Sequence, residues 1–166
     1  DVVKSNIYSH SKIIVGGSGF SMFADEIMHD ESRVDYGVFL EGEQTFPELI
    51  ENLEQPEIVK GIFYRRDGEA MFTGPRDQVD LNSVPFPDRT VISLEPYKGT
   101  RDSIGVETKR GCMLDCIYCV YGFLNGKRLR LRNPGMVVDE IETLVRDMGV
   151  KSFTFVDAVF NIPLSH

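Results

Sequence analysis

The stretch Val106-Glu107-Thr108-Lys109-Arg110-Gly111-Cys112-Met113-Leu114-Asp115-Cys116-Ile117-Tyr118-Cys119 contains every cysteine of this chain. Three thiolates on one short loop can bind three corners of a metal cluster and leave the fourth corner open, whereas most iron–sulfur clusters use four cysteines. Structural zinc is the alternative, but it takes four Cys or His ligands, and the three histidines lie far away in sequence. An odd cysteine count disfavours disulfides. The spacing therefore favours an iron–sulfur cluster with an open site.

The residues on both sides of this loop predict alternating strands and helices. Residues 103–108 predict a first strand, which delivers the cysteine loop at its C-terminal end. Asn133 is a candidate N-cap with Pro134 at the first helical position, and Gly149 ends the predicted helix. Residues 153–156 predict a second strand. This order is typical of the beginning of a β/α barrel, whose active sites lie at the carboxyl ends of the strands.

The cysteine loop, with Tyr118 just before the third cysteine, resembles the radical S-adenosylmethionine superfamily. The resemblance implies that Cys112, Cys116 and Cys119 bind a four-iron, four-sulfur cluster whose open iron is chelated by S-adenosylmethionine. It also implies reductive cleavage of S-adenosylmethionine to a 5′-deoxyadenosyl radical. Tyr118 would lie against the adenine, the alternative being an ordinary core aromatic residue. Asp157 would lie near the amino group of S-adenosylmethionine, although the family often has a second acid where this chain has Ala158.

Residues 1–73 predict a separate parallel α/β layer. Apolar runs predict strands over 13–15 and 38–40, helical spacing predicts helices over 21–29 and 46–54, and Asp67-Gly68 between two apolar runs predicts a hairpin. Residues 74–100 hold several prolines without periodicity and predict a linker. Residues 101–166 would form the first part of the barrel. The expected fold is α/β, a partial Rossmann-like parallel sheet followed by the first strands of an incomplete radical S-adenosylmethionine barrel.

Two pieces of this first part resemble the C-terminal half of the cobalamin-binding domain that precedes the barrel in one large radical S-adenosylmethionine class. They are Gly16-Gly17 after the first strand, and Glu41-Gly42-Glu43 after the second. The resemblance implies that the glycine pair lets the backbone approach the nucleotide tail of cobalamin. The alternatives are a tight turn at the glycines and a charged loop entering a helix N-terminus at the acids. The N-terminal half of such a domain is missing, so we expect that this chain alone does not hold cobalamin.

The run Lys127-Arg128-Leu129-Arg130-Leu131-Arg132 alternates basic and apolar residues, as a half-buried strand does. It is either a clamp for a carboxylate or phosphate or a solvated edge whose charges discourage aggregation.

The composition of the 166 residues limits the function classes. Hydrophobic residues make up 42% of the chain, which supports a packed core. A net charge of −8 argues against general nucleic-acid affinity. The sequence contains neither an apolar run near the length of a membrane span nor a signal-peptide pattern at its beginning. Reduced cysteines and an oxygen-sensitive cluster fit the cytoplasm.

Both ends look cut, because the chain opens abruptly before its first predicted strand and stops without a helix after its last one. A complete barrel takes on the order of 200 residues or more, whereas 47 residues follow Cys119. We therefore expect an interdomain fragment of a cobalamin-dependent radical S-adenosylmethionine enzyme. By resemblance its commonest chemistry is methyl transfer to an unactivated carbon of a small molecule or peptide, with flavodoxin or ferredoxin as electron donor. The fragment itself is expected to be inactive and to form a homodimer. A tRNA methylthiotransferase-like enzyme and a non-catalytic zinc-binding module are the alternatives.

Overall fold

The computed structural model describes residues 11–98 and 104–164. The chain divides into two compact units, residues 1–79 and 80–166. Outside the described part lie residues 1–10, 99–103 and 165–166. They include Ser103 of the predicted first barrel strand and the predicted boundary between the linker and the barrel at residues 100 and 101. Within the described part, no helix is both long and apolar enough to cross a membrane.

The first unit is built on a four-stranded sheet in the order β1-β2-β3-β4. Its strands are β1 (Ile14–Val15), β2 (Tyr36–Val38), β3 (Ile62–Arg66) and β4 (Glu69–Phe72). The pair β1–β2 is parallel, whereas β2–β3 and β3–β4 are antiparallel. The α/β class is confirmed, and the sheet is mixed because a hairpin follows the parallel pair.

The predicted hairpin is confirmed. Arg66 pairs with Glu69, which leaves Asp67 and Gly68 as a two-residue loop. Both have positive φ, 53° and 88°, as a type I′ turn requires.

The helices of the first unit differ from the expected ones in their bounds. The single helix expected over 21–29 is two helices, α1 (Gly17–Met22) and α2 (Ala24–Asp30), which meet at Phe23 with φ −131°. The Ser21 hydroxyl donates to the Gly17 carbonyl oxygen at 2.9 Å and accepts from the N–H of Leu40 at 2.9 Å. A serine hydroxyl that donates to the carbonyl four residues earlier bends helices. The bond with Leu40 joins residues 19 positions apart, so the helical spacing of apolar residues cannot predict it.

The second strand and third helix are also shifted. The strand ends at Val38 rather than 40, because Leu40 has a left-handed φ of 62°. Helix α3 (Gly42–Glu51) begins four residues earlier than expected, with Glu41 as its N-cap residue. A short 3-10 helix, Pro56–Ile58, precedes β3. The core between α3 and the sheet is formed by Tyr36, Val38, Leu49, Val59, Ile62 and Tyr64.

The second unit holds two small sheets and one long helix. Its strands are β5 (Gly105–Val106), β6 (Lys109–Arg110), β7 (Arg130–Leu131) and β8 (Thr154–Phe155), and its helices are α4 (Glu95–Lys98), α5 (Tyr121–Leu124) and α6 (Pro134–Arg146). The pair β5–β8 is parallel and the pair β6–β7 antiparallel. The predicted first barrel strand is thus interrupted after Val106.

Helix α6 begins as predicted. The Asn133 side chain accepts from the N–H of Gly135 at 2.8 Å, and Pro134 is the first helical residue. Leu94, from the segment expected to be a linker, is buried with Val106 and Leu144. The end of that segment therefore packs into the second unit.

Candidate metal centre

The cysteine loop leaves the sheet at the carboxyl end of β5. Val106 is fully buried and pairs with Phe155 of β8. Because β5 and β8 are parallel, the residues after both strands lie at the same edge of the sheet. This arrangement brings the segment before Cys112 and the predicted site residue Asp157 together.

Asp157 binds the segment that leads to the cysteines. Its Oδ1 atom accepts from the N–H groups of Thr108 at 2.8 Å and Lys109 at 3.1 Å. Its Oδ2 atom accepts from the Thr108 hydroxyl at 2.5 Å. Both carboxylate oxygens therefore have partners within the chain, and the contact of Asp157 with S-adenosylmethionine stays a prediction.

Gly111 allows the chain to turn into the loop, a role that the sequence did not reveal. Its φ is 103°, and a Cβ atom there would lie 2.1 Å from the carbonyl oxygen of Arg128. Cys112 follows, and its N–H donates to the carbonyl oxygen of Gly126 at 2.9 Å. The backbone before β7 thus packs directly on the backbone before the first cysteine.

The three cysteines differ in exposure. Cys112 is buried, Cys116 and Cys119 are exposed, and all three thiols are free. The N–H of Cys119 donates to the carbonyl oxygen of Cys116 at 3.1 Å. Tyr118 is 86% exposed, so the alternative that it is a core aromatic residue is wrong. Its predicted contact with adenine stays a prediction.

The donor set fits an iron–sulfur cluster in its chemistry, because three soft thiols lie on one loop. In the described part of the chain, no three Cys, His, Asp or Glu side chains are gathered closely enough to hold a metal ion. Cluster binding therefore has to draw the three Sγ atoms together, as is usual when a metal organises its own ligands.

Two ion pairs lie beside the loop. Arg110 donates from Nε and a terminal nitrogen to the two carboxylate oxygens of Glu107, at 3.0 and 2.9 Å. Lys127 pairs with Asp115 between the first two cysteines. The first pair joins two residues of the segment before the loop. The second joins the exposed part of the loop to the basic run 127–132.

The basic run 127–132 is not a solvated edge at its last residue, and its role as a clamp for a carboxylate or phosphate stays a prediction. Arg132 is buried and pairs with the buried Glu140 at 2.8 Å. Glu140 also pairs with Arg89 at 2.8 Å. No sequence pattern pointed to this network, because Arg89 and Glu140 lie 51 positions apart.

The residues predicted for cobalamin lie at one edge of the first unit. Gly16 and Gly17 follow β1, Glu41 is the third residue after β2, and these strands are parallel. A Cβ atom on Gly17 would meet nothing within 4 Å, so the backbone there is open to approach. Glu41 accepts from the N–H of Val79 at 2.8 Å through Oε2.

Gly42 and Glu43 begin α3, where an acidic side chain is favoured by the helix dipole. The structure thus brings both predicted pieces to the carboxyl edge of the parallel pair, where α/β sheets bind their ligands.

No family model matches the chain. Among curated proteins it is 28% identical over 165 residues to an uncharacterized methyltransferase of Pyrococcus horikoshii, covering 96% of this chain and 36% of that protein. It is 31% identical over 151 residues to the anaerobic magnesium-protoporphyrin IX monomethyl ester cyclase of Synechocystis, covering 87% and 30%. A protein named as a methylthiotransferase in Methanocaldococcus jannaschii is 29% identical over 147 residues, covering 88% and 30%. The chain spans about a third of the length of these relatives.

Solved structures show the same likeness. The radical S-adenosylmethionine methyltransferase TsrM from Kitasatospora setae matches with a TM-score of 0.76 and 26% identity, covering 95% of this chain and 32% of TsrM. The cobalamin-dependent S-adenosylmethionine radical enzyme OxsB matches in fold with a TM-score of 0.73 and 23% identity, covering 93% and 23%. The match to TsrM confirms the resemblance of this chain to radical S-adenosylmethionine enzymes, and the match to OxsB shows that it shares the fold of a cobalamin-dependent one. The proteins that this chain resembles include methyltransferases.

Proposed function

We propose that this chain carries the cluster-binding segment of a cobalamin-dependent radical S-adenosylmethionine enzyme that transfers a methyl group to an unactivated carbon. The observation that supports this most directly is the position of the cysteine loop at the carboxyl edge of a parallel β5–β8 pair, where β/α barrels place their active sites. TsrM and OxsB, which share the fold, are named for S-adenosylmethionine chemistry.

The chain's own residues have separate parts in this proposal. Cys112, Cys116 and Cys119 supply the three thiolates, and Tyr118, which is exposed beside them, supplies a flat surface for the adenine. Asp157 holds the backbone before Cys112 through Thr108. The bound cluster and S-adenosylmethionine would supply the one-electron chemistry.

Anaerobic reconstitution with ferrous iron and sulfide tests the metal. We expect roughly four irons per chain, with visible absorbance that bleaches on reduction. Replacing Cys112, Cys116 or Cys119 by Ala should each abolish the cluster. A full cluster in any one of these variants would contradict the assignment, and zinc at one per chain would instead support a non-catalytic zinc-binding module.

Cobalamin is proposed for the longer protein. Gly16, Gly17, Glu41, Gly42 and Glu43 lie at one sheet edge, but they form half of the expected domain. Titration of this chain with hydroxocobalamin should leave the cobalamin spectrum unchanged. A spectral shift that Gly17→Val removes would show that the half domain binds by itself.

A methylthiotransferase is the second candidate, because the Methanocaldococcus jannaschii relative bears that name. By resemblance such an enzyme uses a second cluster on three further cysteines, and this chain has three cysteines in all. Iron analysis of a longer protein separates the two, since the second candidate requires about twice as much iron.

The partners and the compartment belong to the same proposal. The substrate is a small molecule or peptide, the electron donor is a flavodoxin or ferredoxin, and neither membrane nor nucleic acid is involved. A cytoplasmic setting keeps the three thiols reduced.

A further inference from the structure

A buried acid occupies the core face of α6. Glu140 is 3% exposed, and the helix buries Val137 and Leu144 on the same face. A lone carboxylate at such a position would be strongly destabilising unless it is paired. Its Oε1 atom accepts from Arg89 and its Oε2 atom accepts from Arg132, both at 2.8 Å.

The same two arginine nitrogens also bind the strand before the cysteines. The Arg89 nitrogen that binds Glu140 also donates to the carbonyl oxygen of Gly105 at 2.7 Å. The Arg132 nitrogen that binds Glu140 also donates to the carbonyl oxygen of Glu107 at 2.7 Å. These carbonyls lie on either side of Val106, so Glu140 holds both arginines against one short piece of backbone.

The network of Glu140, Arg89 and Arg132 is poorly explained by a gain in folding stability alone. The Nε atom of Arg89 is buried without a hydrogen-bond partner, and an unsatisfied buried donor costs about 1–3 kcal/mol. Buried ion pairs often contribute no more stability than apolar residues of similar size, and fixing one specific geometry is an alternative role. The geometry fixed here is that of the backbone leading to Cys112.

Bonds from both sides continue this fixation towards the loop. The N–H of Arg132 donates to the carbonyl oxygen of Thr108 at 2.9 Å, and Asp157 binds the N–H groups of Thr108 and Lys109. These bonds thus hold four of the five residues of the segment 105–109, and Cys112, the one buried thiol, follows it closely.

We propose that Glu140 is a positioning residue for the metal centre, which acts through Arg89 and Arg132 to set where Cys112 presents its thiolate. This inference rests on the proposed function, because it requires a cluster on the three cysteines. Residues that orient metal ligands typically change metal affinity by about 10–100-fold when they are replaced.

The test compares variants of the same helix after anaerobic reconstitution. Glu140→Gln removes the charge but keeps the side-chain length. Glu142→Gln is the matched control, since Glu142 is exposed and pairs with Arg146. Leu144→Ala controls for loss of stability, because a buried leucine replaced by alanine costs about 2–5 kcal/mol. The measurements are the rate at which a chelator removes iron and the electron paramagnetic resonance signal of the reduced cluster.

We expect Glu140→Gln to lose iron about 10-fold faster than the unaltered chain and to show an altered signal. Glu142→Gln and Leu144→Ala should both keep the unaltered signal. Arg89→Lys, which keeps the charge but loses the guanidinium, should also speed iron loss and serves if Glu140→Gln does not fold. Unchanged rate and signal in the folded Glu140 variant, or the same changes in Leu144→Ala, would overturn the inference alone. Failure of the unaltered chain to take up iron would overturn the proposed function as well.

Discussion

Replacing Gly111 by Ala should specifically destabilise the second unit. The φ of Gly111 is 103°, and a positive φ costs an L-residue about 1–2 kcal/mol. The new Cβ would also lie 2.1 Å from the carbonyl oxygen of Arg128 and 2.9 Å from its carbonyl carbon. Ordinary contacts are about 3.5 Å or more, so two backbone segments must separate.

Overpacking of this kind costs about 1–3 kcal/mol, and with the φ cost we expect a loss of about 2–5 kcal/mol. Native-state hydrogen exchange can measure this loss in the second unit alone. The amides to follow are those of Thr154 and Val156, which donate to the carbonyl oxygens of Ile104 and Val106 at 2.9 and 3.1 Å. Where exchange requires unfolding of this unit, these amides should exchange at least about 30 times faster, since 1.4 kcal/mol corresponds to tenfold.

Gly122→Ala is the matched control. Gly122 lies in α5, and the nearest atom to a Cβ there is 3.7 Å away. Alanine in a helix is usually favoured over glycine by about 0.5–1 kcal/mol, so the same amides should exchange no faster. Equal exchange rates in Gly111→Ala and the unaltered chain would refute the steric argument.

Four further predictions follow from the structure and the proposed function. Without a cluster, an alkylating reagent should modify the exposed Cys116 and Cys119 faster than the buried Cys112. Mass spectrometry can follow the modification of each cysteine, and equal rates at all three would contradict the described loop. This chain with reductant and S-adenosylmethionine should form no 5′-deoxyadenosine by liquid chromatography, and its detection would show that the chain is catalytically sufficient. We also expect a twofold dimer through the edge around β8, where Phe160 is 55% exposed; sedimentation that shows monomers at every concentration would rule it out. Hydrogen bonds from Arg33 lower the pKa of Glu31 to about 2, so this pair stabilises the fold above the ordinary carboxylate range and loses its effect as the pH falls towards 2; a carboxyl titration by NMR near 4.5 would contradict this.

Local chemistry explains which parts of the fold could be predicted. The Asp67-Gly68 hairpin and the Asn133-Pro134 helix start depend on residues within a few positions of one another. Their turn and cap preferences are therefore visible in sequence. The break between α1 and α2 was not visible, because it accompanies a bond between Ser21 and Leu40 across the fold.

The candidate site shows the same division. The sequence by itself determined the candidate ligand set, because three thiols within eight residues can reach one cluster whatever the rest of the fold. Tertiary structure decided what holds the backbone that leads to these cysteines. Asp157 binds Thr108, which lies 49 positions away in sequence, and Glu140 binds Arg89, which lies 51 positions away. Such contacts depend on parallel strands ending at one edge and on a helix crossing them. No local preference encodes which distant side chain meets the backbone there, so only the folded chain shows how the first cysteine is placed.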